Sequence, residues 1–69
     1  MPHASDNHLQ VRELRHPLRL CLWWMCEREP TRSLASKDLF REMPHMPGVR
    51  LAQVDYHLRR LQRIGLVGR

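Results

Sequence analysis

Val54-Asp55-Tyr56-His57-Leu58-Arg59-Arg60-Leu61-Gln62-Arg63-Ile64-Gly65-Leu66-Val67 separates into an apolar face and a basic face when wound as a helix. At about 100° per residue, Leu51, Val54, Leu58, Leu61 and Ile64 fall on one side, and Ala52, Gln53, Tyr56, Arg59, Arg60 and Arg63 on the other. The first face suits a core, the second suits phosphates. Gly65 reads as the stop, because a residue without Cβ closes a helix in the left-handed region, and Arg63 complements the negative end of the helix dipole there. Leu66-Val67 then reads as the start of a short strand. A basic amphipathic helix, a glycine stop and a strand form the pattern of a DNA-reading helix that leads into a wing.

The chain before this segment divides at its prolines. Pro17 is costly inside a helix but suits a first turn, so His16-Pro17 marks the break between a short helix, capped by Asp6 or Asn7 and running to about Arg15, and a second helix running to about Arg28. The interior of that second helix, Leu18 and Leu20 to Cys26, is apolar nearly all round, which predicts either a central helix or part of an interface. Glu29-Pro30-Thr31-Arg32 is a turn, and Ser33-Leu34 is expected to form a short strand. Ser36 is expected to cap a third helix with Asp38 in its first turn and Leu39, Phe40 and Met43 on its inner face.

Three stretches, His16-Pro17-Leu18-Arg19-Leu20, Leu34-Ala35-Ser36-Lys37-Asp38-Leu39-Phe40 and Val54-Asp55-Tyr56-His57-Leu58-Arg59-Arg60-Leu61, occur in the order found in one family. The segment from His16 to Val67 resembles the winged helix-turn-helix domains of arsenical-resistance-repressor (ArsR-like) regulators of bacteria. The resemblance implies a mainly α fold of three to four helices with at most a minimal β element, over residues 9–69, preceded by a flexible tail over residues 1–8. Two departures stand out. The connection Pro44-His45-Met46-Pro47-Gly48-Val49-Arg50 carries two prolines and a glycine where the family uses a tighter turn, and the family's capping hydroxyl is replaced by Ala35. The family also continues through a wing hairpin, whereas this sequence ends at Arg69, so the expected form is a truncated winged helix-turn-helix.

Charge supports a polyanionic partner. Residues 49–69 carry five arginines against one aspartate, a net +4, while residues 1–48 carry seven basic and six acidic groups. A concentrated basic surface suits double-stranded DNA better than a salt-laced helix that mixes signs. On this reading Arg59, Arg60 and Arg63 hold phosphates, and Gln53 and Tyr56 sample the major groove, where glutamine pairs with adenine. Arg50 is either a phosphate contact at the helix N-terminus or a loop charge. Asp55 repels phosphate, and so caps the helix, pairs with an arginine or tunes specificity. Each of these residues also has the plainer reading of a solvated helix face.

The remaining residues exclude several classes. A chain of 69 residues holds one small domain of marginal stability, too small for a large enclosed active site. No serine, cysteine or carboxylate pair makes a catalytic constellation, so an enzyme is not expected, nor a cofactor. His3, His8, His16 and His45 share no ligand spacing with the cysteines, and the helix from Ser36 to Met43 has none of the paired cysteines of the family's metal sensors, so no metal is expected. Cys21 and Cys26 point to different sides of one helix, about 140° apart, which disfavours a disulfide and predicts buried thiols. The longest uncharged run, Leu20 to Cys26, is too short to span a bilayer, so the expected location is the cytoplasm, without membrane contact. His57 is expected to be semi-buried with a backbone hydrogen bond. Of Trp23 and Trp24, about 100° apart on one helix, one should fill the core and the other is a candidate dimer contact; the resemblance implies that the outward one is Trp24, since the matching family position is often polar.

Together these readings predict a small transcriptional regulator that acts by occupying an operator, as a homodimer or with a partner protein. The competing expectation is a protein–protein interaction module that docks a partner on its tryptophan-rich helix.

Overall fold

The computed structural model describes residues 12–68. The tail over residues 1–8 and the cap at Asp6 or Asn7 lie outside the described residues; Arg12 and Glu13 are helical and lead into a turn. Three helices follow: α1 (Pro17–Arg28), α2 (Ser36–Glu42) and α3 (Leu51–Arg63). The domain is all-α, and no strand occurs among the described residues. Ser33-Leu34 is an irregular connection and Leu66-Val67 a bend, so neither expected strand forms. A strand needs a partner to satisfy its backbone groups. At Leu66 the backbone N–H instead returns to α3, donating to the Leu61 carbonyl at 3.0 Å.

Local chemistry accounts for the helix ends. Pro17 occupies the first position of α1, and the His16 side chain caps it by accepting a hydrogen bond from the Leu18 backbone N–H at 3.2 Å. The N-cap of α2 is Ala35, not Ser36, and it offers no side-chain acceptor. The Ser33 hydroxyl compensates nearby, accepting from the Ala35 N–H at 3.2 Å and donating to Asp38 at 2.9 Å. α3 closes as expected at Gly65, whose φ is +83°. Gly65 N–H donates to the Gln62 carbonyl at 3.1 Å, and with the Leu66 bond this completes the paired closure of a Schellman motif.

The core lies where α1 and α2 each pack on α3. Leu18, Leu22 and Cys26 come from α1, Leu39 from α2 and Val54, Leu58 and Leu61 from α3, with Met43 and Val67 closing the ends. These spacings are the three-and-four steps that keep one helix face inward. Burying a leucine contributes about 1.5–3 kcal/mol, and Leu22, Leu39 and Leu61 are wholly excluded from solvent. Two expected core residues lie outside it. Phe40 is 38% and Leu51 43% exposed, so each stands at the edge of the core and not within it. The hub is α3, and α1 retains an apolar outer face: Leu20 is exposed and Trp24 is 56% exposed, while Trp23 packs against the core.

The connection from α2 to α3 is long, as its prolines predict, but it is anchored. Val49 N–H donates to the Met46 carbonyl at 3.1 Å across Pro47-Gly48, and Gly48 has φ +80°, the signature of a type II turn. Met46 and Val49 both pack on the core, which seats the start of α3. On the opposite side, Arg32 clamps the turn after α1 to the end of α2, with Nη2 2.9 Å from Glu42. Cys21 and Cys26 are free thiols; Cys26 is buried and Cys21 partly so, and burial pushes both above the usual thiol range.

Candidate nucleic-acid interface

The face of α3 opposite Val54, Leu58 and Leu61 carries Ala52, Gln53, Tyr56, Arg59 and Arg63, all exposed. Its arginines differ in what holds them. Arg63 is exposed and has no partner among the described residues. Arg50, at the N-cap of α3, is likewise an exposed cation.

Arg59 donates through Nε to Asp55 Oδ2 at 2.9 Å, one helical turn back. The other carboxylate oxygen of Asp55 accepts from the Ser36 hydroxyl at 2.6 Å, which ties the first residue of α2 to α3. The Ser36 bond, aided by Arg59, holds the Asp55 carboxyl below its usual range, so it stays ionised at neutral pH. Of the three roles foreseen for Asp55, the structure displays the pairing with an arginine.

Arg60 is placed differently. It forms a two-pronged pair with Glu13, Nη2 to Oε2 at 3.0 Å alongside an Nε bond to Oε1. Arg19 joins the cluster by donating to the Glu13 backbone carbonyl at 2.8 Å. The hydrogen bond from Arg60 holds Glu13 below the usual carboxylate range, and the same bond holds Arg60 above the usual guanidinium range. Arg60 thus connects α3 to the segment preceding α1.

Gln53 also has an internal partner. Its side-chain oxygen accepts from the Arg50 backbone N–H at 2.7 Å, satisfying a donor that the turn of helix leaves open. Pairing with adenine uses both the oxygen and the NH2 of the amide, so in this conformation Gln53 has only its NH2 for a base. Tyr56 is 59% exposed and stands edge-on to His57, ring centroids 5.0 Å apart.

His57 is half-buried, as expected, but its Nδ1 makes no hydrogen bond to the backbone or to any other group among the described residues. Instead the ring stacks on His16, with centroids 4.4 Å apart and planes at 33°. Desolvation lowers its pKa, with help from His16, Arg19 and Arg60 nearby. The stack joins the cap of α1 to the middle of α3.

Sequence reasoning missed three of these partners. The Gln53 cap has a local signal, a glutamine at the third helical position, but the usual serine or threonine at the cap is Arg50 here. Glu13 with Arg60 and Ser36 with Asp55 carry no local signal, since they are 47 and 19 residues apart. Among the described residues, no group of three or more histidine, cysteine or acidic side chains could hold a metal ion, and no helix is long and apolar enough to cross a membrane. No protein-family model, curated protein or solved structure matches this chain.

Proposed function

We propose that this chain is a small double-stranded DNA-binding protein, with α2 and α3 as a helix-turn-helix pair of winged-helix type and α3 as the recognition helix. The observation that carries the reading is the division of α3: Val54, Leu58 and Leu61 are buried, while Arg63, Arg59, Tyr56 and Gln53 form an exposed basic face beside Arg50. A helix of this kind fits the major groove with cations at the flanking phosphates. Arg50 and Arg63 contact the backbone, Tyr56 and Arg59 face the groove, and Arg60 orients the helix through Glu13. The protein acts by occupancy, as a cytoplasmic transcriptional regulator of bacterial ArsR-like type, with no catalytic step and no cofactor.

The test is a duplex-binding titration at two salt concentrations. Two or three neutralised phosphates give a slope of log affinity against log salt of roughly −2 to −3. Arg63→Ala should flatten that slope by about one. A salt-independent affinity, or no binding at low salt, refutes the reading.

A second reading, a protein-interaction module, is favoured by the outer face of α1. Pro17, Leu20, Cys21, Trp23 and Trp24 line a shallow apolar depression there. Exposed tryptophan is characteristic of interface centres. The two readings meet if this face pairs two copies of the chain, which would bring two recognition helices to successive turns of one DNA face, about 34 Å apart.

A further inference from the structure

We propose that Arg59 reads a guanine and that Asp55, anchored to α2 through Ser36, is the residue that positions it. The proposal rests on the duplex-binding reading and assigns base specificity within that surface.

Arg50, Arg59, Arg60 and Arg63 stand in different states, and only one suits a base. Arg63 lacks a partner among the described residues, as a phosphate anchor can, because a phosphate is met from many directions. Arg60 spends two of its nitrogens on Glu13. Arg50 sits at the mouth of α3, its backbone N–H held by Gln53. Arg59 is pinned through Nε alone, leaving both terminal nitrogens without a partner among the described residues while the side chain as a whole is 72% exposed. Those two nitrogens are parallel donors in a fixed plane. They match the two acceptors, O6 and N7, that guanine alone presents side by side in the major groove.

Asp55 is otherwise hard to place on this surface. A carboxylate at the border of a basic face repels phosphate and lowers general affinity for DNA. Its geometry shows what it supplies in return. One oxygen is held by Ser36 of the neighbouring helix at 2.6 Å and the other accepts from Arg59 at 2.9 Å, so the carboxylate has little freedom and transmits its fixed position to the guanidinium. An arginine already oriented loses less side-chain entropy on docking than a free one. The carboxyl stays ionised because the Ser36 and Arg59 bonds favour its charged form. Gln53 does not compete for the role of principal reader, since its amide oxygen serves the start of α3.

The experiment is selection of binding sites from a randomised duplex library by the wild type, Arg59→Ala, Asp55→Ala and Ser36→Ala, together with titration of each against one random-sequence duplex at several salt concentrations. The wild type should select a guanine at one position of its site. Arg59→Ala should reduce that preference by about 5- to 150-fold while changing the salt slope on the random duplex by less than half a unit; loss of a phosphate contact changes it by about one. Asp55→Ala should weaken the guanine preference yet strengthen binding to the random duplex, because the repelling carboxylate is gone. Ser36→Ala should weaken the preference to a smaller extent. A misfolded variant loses both kinds of binding together, so the opposed changes in Asp55→Ala identify positioning.

A wild type that binds duplex but selects no guanine overturns this inference and leaves the duplex-binding reading intact. So does an Arg59→Ala variant that keeps the guanine preference, or an Asp55→Ala variant that keeps it. A wild type that binds no duplex overturns both.

Discussion

Gly65→Ala isolates the energetic contribution of one backbone conformation at the end of the proposed recognition helix. Gly65 has φ +83°, and a Cβ added there would meet nothing within 4 Å, so the substitution introduces no clash. The remaining cost is that of holding an L-residue in the left-handed region, about 1–2 kcal/mol. Alanine also narrows the unfolded ensemble, an opposing effect of about 0.4–1 kcal/mol. The net expectation is a loss of roughly 1 kcal/mol. In a domain of this size that lowers the melting temperature by about 4–8 °C. D-alanine at the same position, introduced by chemical synthesis, favours positive φ and should stabilise the fold by about 0.4–1 kcal/mol through the unfolded state alone. Urea unfolding followed by circular dichroism gives both values, and an unchanged dependence on urea would show that the denatured state is the same in each case. If L-alanine leaves stability unchanged, or if both enantiomers destabilise equally, the assignment of Gly65 as a purely conformational stop is wrong.

Three further outcomes follow from the structure. Ala35→Ser supplies the hydroxyl that the N-cap of α2 lacks and should raise stability by about 0.5–2 kcal/mol in the same urea assay. His57 has its pKa lowered by burial, so the unfolded chain binds its proton more readily; the stability it contributes is complete above its ordinary value of 6.5 and is lost as pH falls from there through the depressed folded value. The urea midpoint should therefore fall between about pH 7 and 5 in the wild type and change less over that window in His57→Gln, while Glu13 and Asp55, both lowered, lose their contributions only below the ordinary carboxylate values of 4.5 and 3.8. Trp24→Arg places a charge on the outer face of α1, and sedimentation across a concentration series should show self-association of the wild type abolished in the variant; a wild type that stays monomeric at high micromolar concentration, with and without DNA, rules out the homodimer.

Properties that depend on neighbours along the chain were legible in the sequence. Pro17 at a helix start, Gly65 at a helix stop, the long connection that Pro44, Pro47 and Gly48 impose and the inward stripe of Val54, Leu58 and Leu61 all follow from backbone geometry and from the three-and-four spacing of one helix. The Asp55–Arg59 pair belongs to the same class, being one turn apart. The divergence of Trp23 and Trp24 and the buried thiol of Cys26 were within reach for the same reason, while the choice of Trp24 as the outward one came from the family resemblance. Tertiary packing decided the rest. Whether Ser33-Leu34 or Leu66-Val67 became strands depended on a partner strand, and the Leu66 N–H found the Leu61 carbonyl of α3 instead. Phe40 and Leu51 looked like core residues on their own helices, but burial requires an opposing surface, and α1 and α2 meet α3 elsewhere. The division of labour among the arginines was invisible for a related reason: a guanidinium's role is set by the nearest carboxylate in space. Folding brought Glu13 to Arg60 and Ser36 to Asp55, leaving Arg59 oriented and Arg63 free of any partner among the described residues.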